Sequence, residues 1–242
     1  MASKKPVVLV TGASSGFGLE AGRALADNNW QVFGTSRREL EDKSENFRML
    51  TLDVRDDGSV RDCVERVLSE MGKIDLLVNN AGYVINGFAE EVSIEQAQGI
   101  FETNFFGMFR MAKAVLPVMR RQNRGRIINI SSVLGFLGVP YRSFYTASKF
   151  ALEGFSESLS FELARFNIQV VLVEPGFFRT GLDDSMQKAE DRIDDYDRWR
   201  PKLDKHFGKY RRNGNATQRA GYGLCCDCFS TSIWLYLFTL SL

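Results

Sequence analysis

Short apolar runs alternate with helix-length amphipathic stretches along most of this chain. The runs from Val7 to Val10, Trp30 to Thr35, Phe47 to Leu52, Ile74 to Val78, Arg126 to Ile130 and Ile168 to Val173 read as strands. Runs that are apolar at nearly every position predict strands buried on both faces, and their alternation with helices predicts an α/β fold with a doubly wound parallel sheet. Ligands of such sheets bind beyond the carboxyl ends of the strands. The residues just after each run are therefore the first place to look for chemistry.

Composition narrows the picture. A chain of 242 residues with 44% hydrophobic content can bury one substantial core, and no Pro/Ser-rich linker or internal repeat divides it. Lys and Arg number 31 against 30 Asp and Glu, a net charge of +1 with no basic stripe. This argues against nucleic acid or an anionic membrane as partner and favours a small molecule. Three of the four cysteines, Cys225, Cys226 and Cys228, crowd one segment while Cys63 stands alone, which is no disulfide framework. The single histidine, His206, lies in a charged stretch, so no metal site is expected. The start, Met1-Ala2-Ser3-Lys4-Lys5-Pro6, runs straight into the first strand without an apolar signal region, which predicts a cytoplasmic protein.

Thr11-Gly12-Ala13-Ser14-Ser15-Gly16-Phe17-Gly18 follows the first strand and opens a helix that continues through Leu19, Ala21 and Leu25. Glycines let a backbone turn tightly and approach a pyrophosphate, whose charge is favoured at a helix N-terminus. Further on, Tyr145 and Lys149 lie four residues apart, on one face of a helix, where a phenol and an ammonium can share a pocket. A neighbouring cation lowers a phenol's pKa, which would make Tyr145 a usable acid/base at neutral pH. Taken singly, the glycines are also what any tight turn needs, and a Tyr and a Lys at this spacing occur on ordinary amphipathic helices.

Taken together, these motifs resemble the short-chain dehydrogenase/reductase family, nearest its hydroxysteroid and retinol dehydrogenase-like branch. The glycine signature Thr-Gly-x-x-x-Gly-x-Gly is followed in order by Asn79-Asn80-Ala81-Gly82, Asn104, Ser132, Tyr145 and Lys149, then Pro175-Gly176 and Thr180. The resemblance covers roughly residues 5–182. It implies a single-domain Rossmann-type fold and hydride transfer between a nicotinamide and a secondary alcohol, its ketone, or an aldehyde. Tyr145 would exchange the proton, Ser132 would hydrogen-bond the substrate oxygen, Lys149 would lower the tyrosine pKa and hold the nicotinamide ribose, and Asn104 would position a water. Ser131 lacks the family's separation from Tyr145 and is read as structural. Asn104 can equally be a polar residue satisfying backbone groups.

On the same resemblance, Gly12, Ser14, Ser15, Gly16, Phe17 and Gly18 would hold the cofactor phosphates. Asp53 and Val54 would contact adenine, Asn80, Ala81 and Gly82 would support the sheet where the cofactor approaches, and Pro175, Gly176 and Thr180 would line the nicotinamide end. Asp53 can also be read as a cap for the helix that starts near Asp56 and Asp57. After the second strand the chain has Thr35-Ser36-Arg37-Arg38, with no acid to meet the ribose hydroxyls. Arg37, and after it Arg38, can pair with a 2′-phosphate, so NADP(H) is expected over NAD(H). The alternative is a solvated Arg pair. A small apolar alcohol or carbonyl compound is the expected substrate, with Leu134, Phe136, Leu137, Val139 and Phe144 as pocket wall or core. The helices carrying Asn104 and Tyr145 form the family's common dimer contact, so a homodimer or homotetramer is expected.

Three parts follow: a nucleotide-binding core at 5–182, a charged substrate loop or lid at 183–215, and an atypical apolar tail at 216–242. Past Tyr210 the family pattern ends, and Cys225-Cys226-Asp227-Cys228 leads into Ile233, Trp234, Leu235, Tyr236, Leu237, Phe238 and Leu240. This stretch is short of the ~20 apolar residues that cross a bilayer. It reads as a substitute last strand, a shifted frame or truncated gene, a membrane-interface or partner segment, or disorder. The competing function is a catalytically silent NADP-binding regulator or scaffold.

Overall fold

The computed structural model describes residues 5–39, 47–176 and 186–205. Its centre is a six-stranded sheet in the order β3-β2-β1-β4-β6-β7, with every neighbouring pair parallel. The strands are β1 (Val7–Val10), β2 (Gln31–Ser36), β3 (Arg48–Thr51), β4 (Leu76–Asn79), β6 (Gly125–Ile130) and β7 (Ile168–Val173). All six apolar runs seen in the sequence are strands, two with the same boundaries and four with boundaries shifted by one or two residues. The order reverses between β1 and β4, which opens the crevice where doubly wound sheets hold ligands.

Side-chain alternation sends successive residues of β1 to opposite faces. Val7 and Leu9 join Val60, Val64 and Val67 of α2 (Asp57–Met71), Met111 and Val115 of α4 (Gly107–Gln122) and Leu159 and Leu163 of α5 (Ser143–Ala164) in the larger core. Val8 and Val10 pack with Leu25 of α1 (Gly16–Asp27) on the other face. Burying a side chain the size of Leu9 or Phe33 contributes about 1.5–3 kcal/mol, so two such layers account for the run of wholly apolar strands.

The helix ends have local causes. Asp56 caps α2 by accepting a hydrogen bond from the Ser59 amide at 2.5 Å, and Gly72 ends it in the left-handed conformation at φ 70°. The reading of Asp53 as that cap is thereby corrected: Asp53 lies one turn too early. α3 (Ile94–Phe101) is capped by Ser93 and runs through a π-helical turn at Glu102–Phe106 into α4.

A second sheet was not legible in the pattern. β5 (Ile85–Asn86) pairs in parallel with β8 (Gln187–Lys188), only two residues each. No described helix is long and apolar enough to cross a membrane. Thr180, His206, the three clustered cysteines and the apolar tail lie outside the described residues.

Candidate active site

The glycine loop leaves β1 with its backbone pinned from two sides. The Ala13 amide donates to the Thr35 carbonyl at 2.8 Å and the Gly12 amide to Thr35 Oγ1 at 3.3 Å. On the other side, Thr11 Oγ1 accepts from the amides of Asn80 and Ala81 at 2.9 and 3.0 Å. Asn80 Nδ2 donates back to the carbonyls of Thr11 and Gly12, both at 3.0 Å. Gly12 has φ +65°, and a Cβ there would sit 3.0 Å from Ala81 Cα; a Cβ on Gly18 would run into the Gly12 carbonyl and the Asn80 amide. Thr11, the first residue of the glycine signature, is thus a structural part of the loop, and so is Thr35, which motif matching passes over.

Beyond the loop, Ser15 caps α1 with extended backbone and no side-chain hydrogen bond, while Ser14 and Ser15 are exposed. A helix start that carries no side-chain cap and is approached by bare backbone suits a phosphate. Arg37 and Arg38 are exposed after β2, and Arg37 lies close enough for its charge to act on Asp53 and Tyr83. Asp53 is held by Arg55, through Nε at 3.0 Å and Nη2 at 2.7 Å, and this pairing keeps its carboxyl below the ordinary value. Its neighbour Val54 is buried against Gly107. The cradle of Gly12, Gly18, Asn80 and Ala81, with the cationic Arg37 at its far end, therefore fits a phosphorylated dinucleotide.

At the carboxyl end of β6, Ser132 is buried and starts a short 3-10 turn, accepting from the Leu134 amide at 3.1 Å. α5 places Tyr145 and Lys149 on the same buried face, the Lys149 Nζ 5.7 Å from the tyrosine ring centroid. Ser132 lies close enough to Tyr145 to act on its phenol. Burial pushes the Tyr145 phenol up, while Ser132 and, more weakly, the charge of Arg142 pull it down. The expectation that Lys149 lowers the phenol is not what this arrangement gives. The ammonium instead donates to the Ile130 carbonyl at 2.7 Å, and burial lowers its own pKa to about 8.

Asn104 sits on the π-helical turn, fully buried. Its Oδ1 accepts from the Tyr83 amide at 3.0 Å, and its Nδ2 donates to the Tyr83 carbonyl at 3.0 Å and to Ser148 Oγ at 3.2 Å. Ser148 in turn donates to the Tyr145 carbonyl at 2.7 Å. The side chain thus braces the Asn80-Ala81-Gly82-Tyr83 loop against α5, the backbone-satisfying role that was one of its two readings. The Pro175 carbonyl accepts from the Val133 amide at 3.1 Å, which joins the end of β7 to the Ser132 turn. Gly176 follows it, exposed.

Val84, Ile85, Ile100, Leu134 and Tyr145 form a separate buried apolar cluster, with Val139, Phe144 and Met186 packed against it. Phe136 and Leu137 are exposed rather than part of this wall. The described part of the charged segment is tied to β5, to Gln96 and to Glu91. Glu91, wholly buried, holds Arg200 through two hydrogen bonds of 2.6 and 2.9 Å and also accepts from the Ile193 amide at 2.9 Å. The paired guanidinium holds the Glu91 carboxyl down at about 2. Phe88 stacks on Tyr196 with ring centroids 4.0 Å apart.

Fold and site together define a dinucleotide-binding protein with a buried Ser, Tyr and Lys at the carboxyl end of its sheet. The family model described as short chain dehydrogenase matches residues 6–191, and the chain belongs to that family. It is 45% identical over 222 residues to a 3-ketodihydrosphingosine reductase of Bacteroides thetaiotaomicron, a match covering 90% of this chain and 82% of that protein. It is 44% identical over 189 residues to human retinol dehydrogenase 8, covering 73% of this chain and 60% of that one. Among solved structures, a short-chain dehydrogenase from Streptomyces avermitilis superposes with a TM-score of 0.80 at 34% identity, over 91% of this chain and 83% of that chain. ElxO with NADP bound gives 0.70 at 30% identity, over 74% and 77%. The family and the branch implied by the motifs are those the comparisons return.

Proposed function

We propose that this oxidoreductase uses NADP(H) in preference to NAD(H) to interconvert a ketone or aldehyde with its alcohol, with Tyr145 as general acid/base. The observation that carries the reading is the convergence of Ser132, Tyr145 and Lys149 in one buried pocket beside the glycine cradle. The bound nicotinamide supplies the hydride; the chain's own residues handle the proton and the charge. A buried phenol with its pKa raised keeps its proton at neutral pH, which suits donation to a carbonyl oxygen as negative charge builds there. Ser132 stands beside that phenol to hydrogen-bond the same oxygen. Lys149, one turn along the helix from Tyr145 and charged below about pH 8, is fixed by the Ile130 carbonyl at the end of β6. Asn104 acts through Tyr83 and Ser148, which makes it a positioning residue.

Arg37 is the proposed reader of the 2′-phosphate, in keeping with a relative of known structure that holds NADP. The apolar cluster around Leu134 and Met186 suits a substrate with an apolar body, in keeping with the 3-ketodihydrosphingosine and retinol in the names of the two relatives. Phe109 on α4 and Phe150 and Phe161 on α5 are exposed, a surface suited to a second copy of the chain.

Thermal unfolding with each cofactor tests the preference, because a ligand of the folded state raises its stability. NADPH should stabilise the chain more than NADH, and Arg37→Ala should reduce NADPH affinity about 10-fold, the loss of one charge-assisted pair, while leaving NADH nearly unchanged. Equal losses for both would contradict the role of Arg37. NADPH oxidation with a panel of apolar ketones and aldehydes tests the reaction; stabilisation by NADPH with no turnover on any of them would favour the silent binding protein.

A further inference from the structure

A chain of three buried polar side chains crosses the larger core. Asn79 at the end of β4 and Asn129 on β6 are direct partners across the two strands. Strand alternation puts them on the face of Leu77 and Ile127, toward α4 and α5. Asn79 Nδ2 donates to Asn129 Oδ1 at 2.9 Å and to the Met108 carbonyl in the first turn of α4 at 3.3 Å. Asn129 Nδ2 donates in turn to Ser156 Oγ on α5 at 2.8 Å. Asn79, Asn129 and Ser156 are each 1% exposed. Two strands and two helices are thereby joined through polar groups inside an apolar layer. A second polar link, from Asn104 Nδ2 to Ser148 Oγ, leaves the helix one turn before Met108 and reaches α5 two turns before Ser156.

Ser156 follows Lys149 by seven residues and Tyr145 by eleven, so the three share one face of α5. Their partners follow one another at the end of β6: Asn129 takes Ser156, the Ile130 carbonyl takes Lys149, and Ser132 stands beside Tyr145. We propose that Asn79, Asn129 and Ser156 are a register pin that fixes α5 lengthwise against β6 and so act as positioning residues for Tyr145 and Lys149. The proposal rests on the roles given to those two residues above. Apolar side chains pack in more than one register, whereas a buried donor and acceptor are satisfied in one. A slip of one helical turn moves α5 by about 5.4 Å, which strands Ser156 and Asn129 in the core and carries Tyr145 away from Ser132. Even a shift of ~1 Å at reacting groups can cost about 10²-fold in rate. The chain does not serve stability well. Asn79 Oδ1 is buried and has no hydrogen-bond partner among the described residues, a cost that apolar side chains of similar size would remove.

Stability and register are separated by breaking the chain and by removing it whole, in the full protein without cofactor. Ser156→Ala leaves Asn129 Nδ2 buried without its acceptor. The triple variant Asn79→Val, Asn129→Val, Ser156→Ala takes the chain away altogether. Denaturant unfolding reads stability, and hydrogen exchange of residues 143–152 reads how firmly the catalytic half of α5 is seated. Ser156→Ala should lower the unfolding midpoint and speed that exchange about 10-fold. The triple variant should regain the midpoint, because no donor is left stranded, while its exchange at 143–152 stays about 10-fold faster than in the unmodified chain. In both, kcat on a carbonyl substrate should fall about 10–100-fold with NADPH affinity little changed. Exchange that recovers together with the midpoint in the triple variant would overturn the proposal, as would unchanged exchange in Ser156→Ala. Should the triple variant fail to fold, Leu159→Ala takes its place: it opens a cavity in the same helix and keeps the chain, so it should speed exchange at 143–152 less than Ser156→Ala, and equal speeding contradicts the pin. Because exchange needs no turnover, its outcome is separate from any failure of Tyr145 as the acid/base.

Discussion

Around the glycine loop, the contacts that fix the shape are made by neutral groups: Thr11, Thr35 and Asn80 exchange hydrogen bonds with backbone, and Gly12 and Gly18 allow main chains to touch. At the other end of the crevice, the groups that matter are ionisable and wholly or largely removed from water: Tyr145 and Lys149 on α5, and Glu91 with its partner Arg200 in the clasp that holds the 186–205 segment. The nucleotide end must present fixed amides to a ligand that carries its own charge, and a side chain there would be in the way. The catalytic end must hold and release a proton, which needs groups whose pKa values the surroundings can move. One end should therefore fail when volume is added, and the other when charge is removed.

The largest effect is expected at the charged end. Arg200→Ala leaves Glu91 buried without its guanidinium, and breaking one partner of such a pair costs about 3–5 kcal/mol. The loss should fall on the covering segment 186–205, read as faster hydrogen exchange there. It should also have a pH signature. Glu91 has its carboxyl lowered from the ordinary 4.5 to about 2, so the stability it contributes is present above pH 4.5 and is lost as pH falls toward 2. That slope should be weaker in Arg200→Ala; an unchanged slope would mean that the pair does not hold the segment down. A smaller effect is expected at the neutral end. Gly18→Ala forces a methyl against the Gly12 carbonyl and should cost about 1–3 kcal/mol in denaturant unfolding, with loss of NADPH binding and no change in the pH dependence of stability. A pH-dependent loss there would erase the contrast between the two ends.

Much of this was legible because both ends leave local marks. The strands β1 and β4 at the middle of the sheet are buried at every position, and burial on two faces demands the apolar runs seen there. The glycine spacing and the Ser132, Tyr145 and Lys149 spacing each encode a local geometry, and the fold brings them to one crevice. What stayed hidden depends on contacts distant in sequence. Glu91 is one of two adjacent acids, and nothing local says that it meets Arg200, 109 residues away. The two-residue strands β5 and β8 are too short to show a period and exist because that clasp seats the segment. Asp53 could be read as the cap of α2, yet Asp56 fills that place and Asp53 pairs with Arg55. The expected lowering of the Tyr145 pKa by Lys149 followed from helix spacing alone; spacing does not report burial, and burial is the larger influence.

The central claim is that Tyr145 moves the proton in a reaction whose cofactor is held elsewhere. It is tested most directly by measuring NADPH affinity and carbonyl turnover together in Tyr145→Phe. The ring stays, so packing is preserved, while the exchangeable proton is gone. Turnover should fall about 10²–10⁴-fold with NADPH affinity close to that of the unmodified chain. Turnover retained at more than a tenth of its original rate would contradict the account.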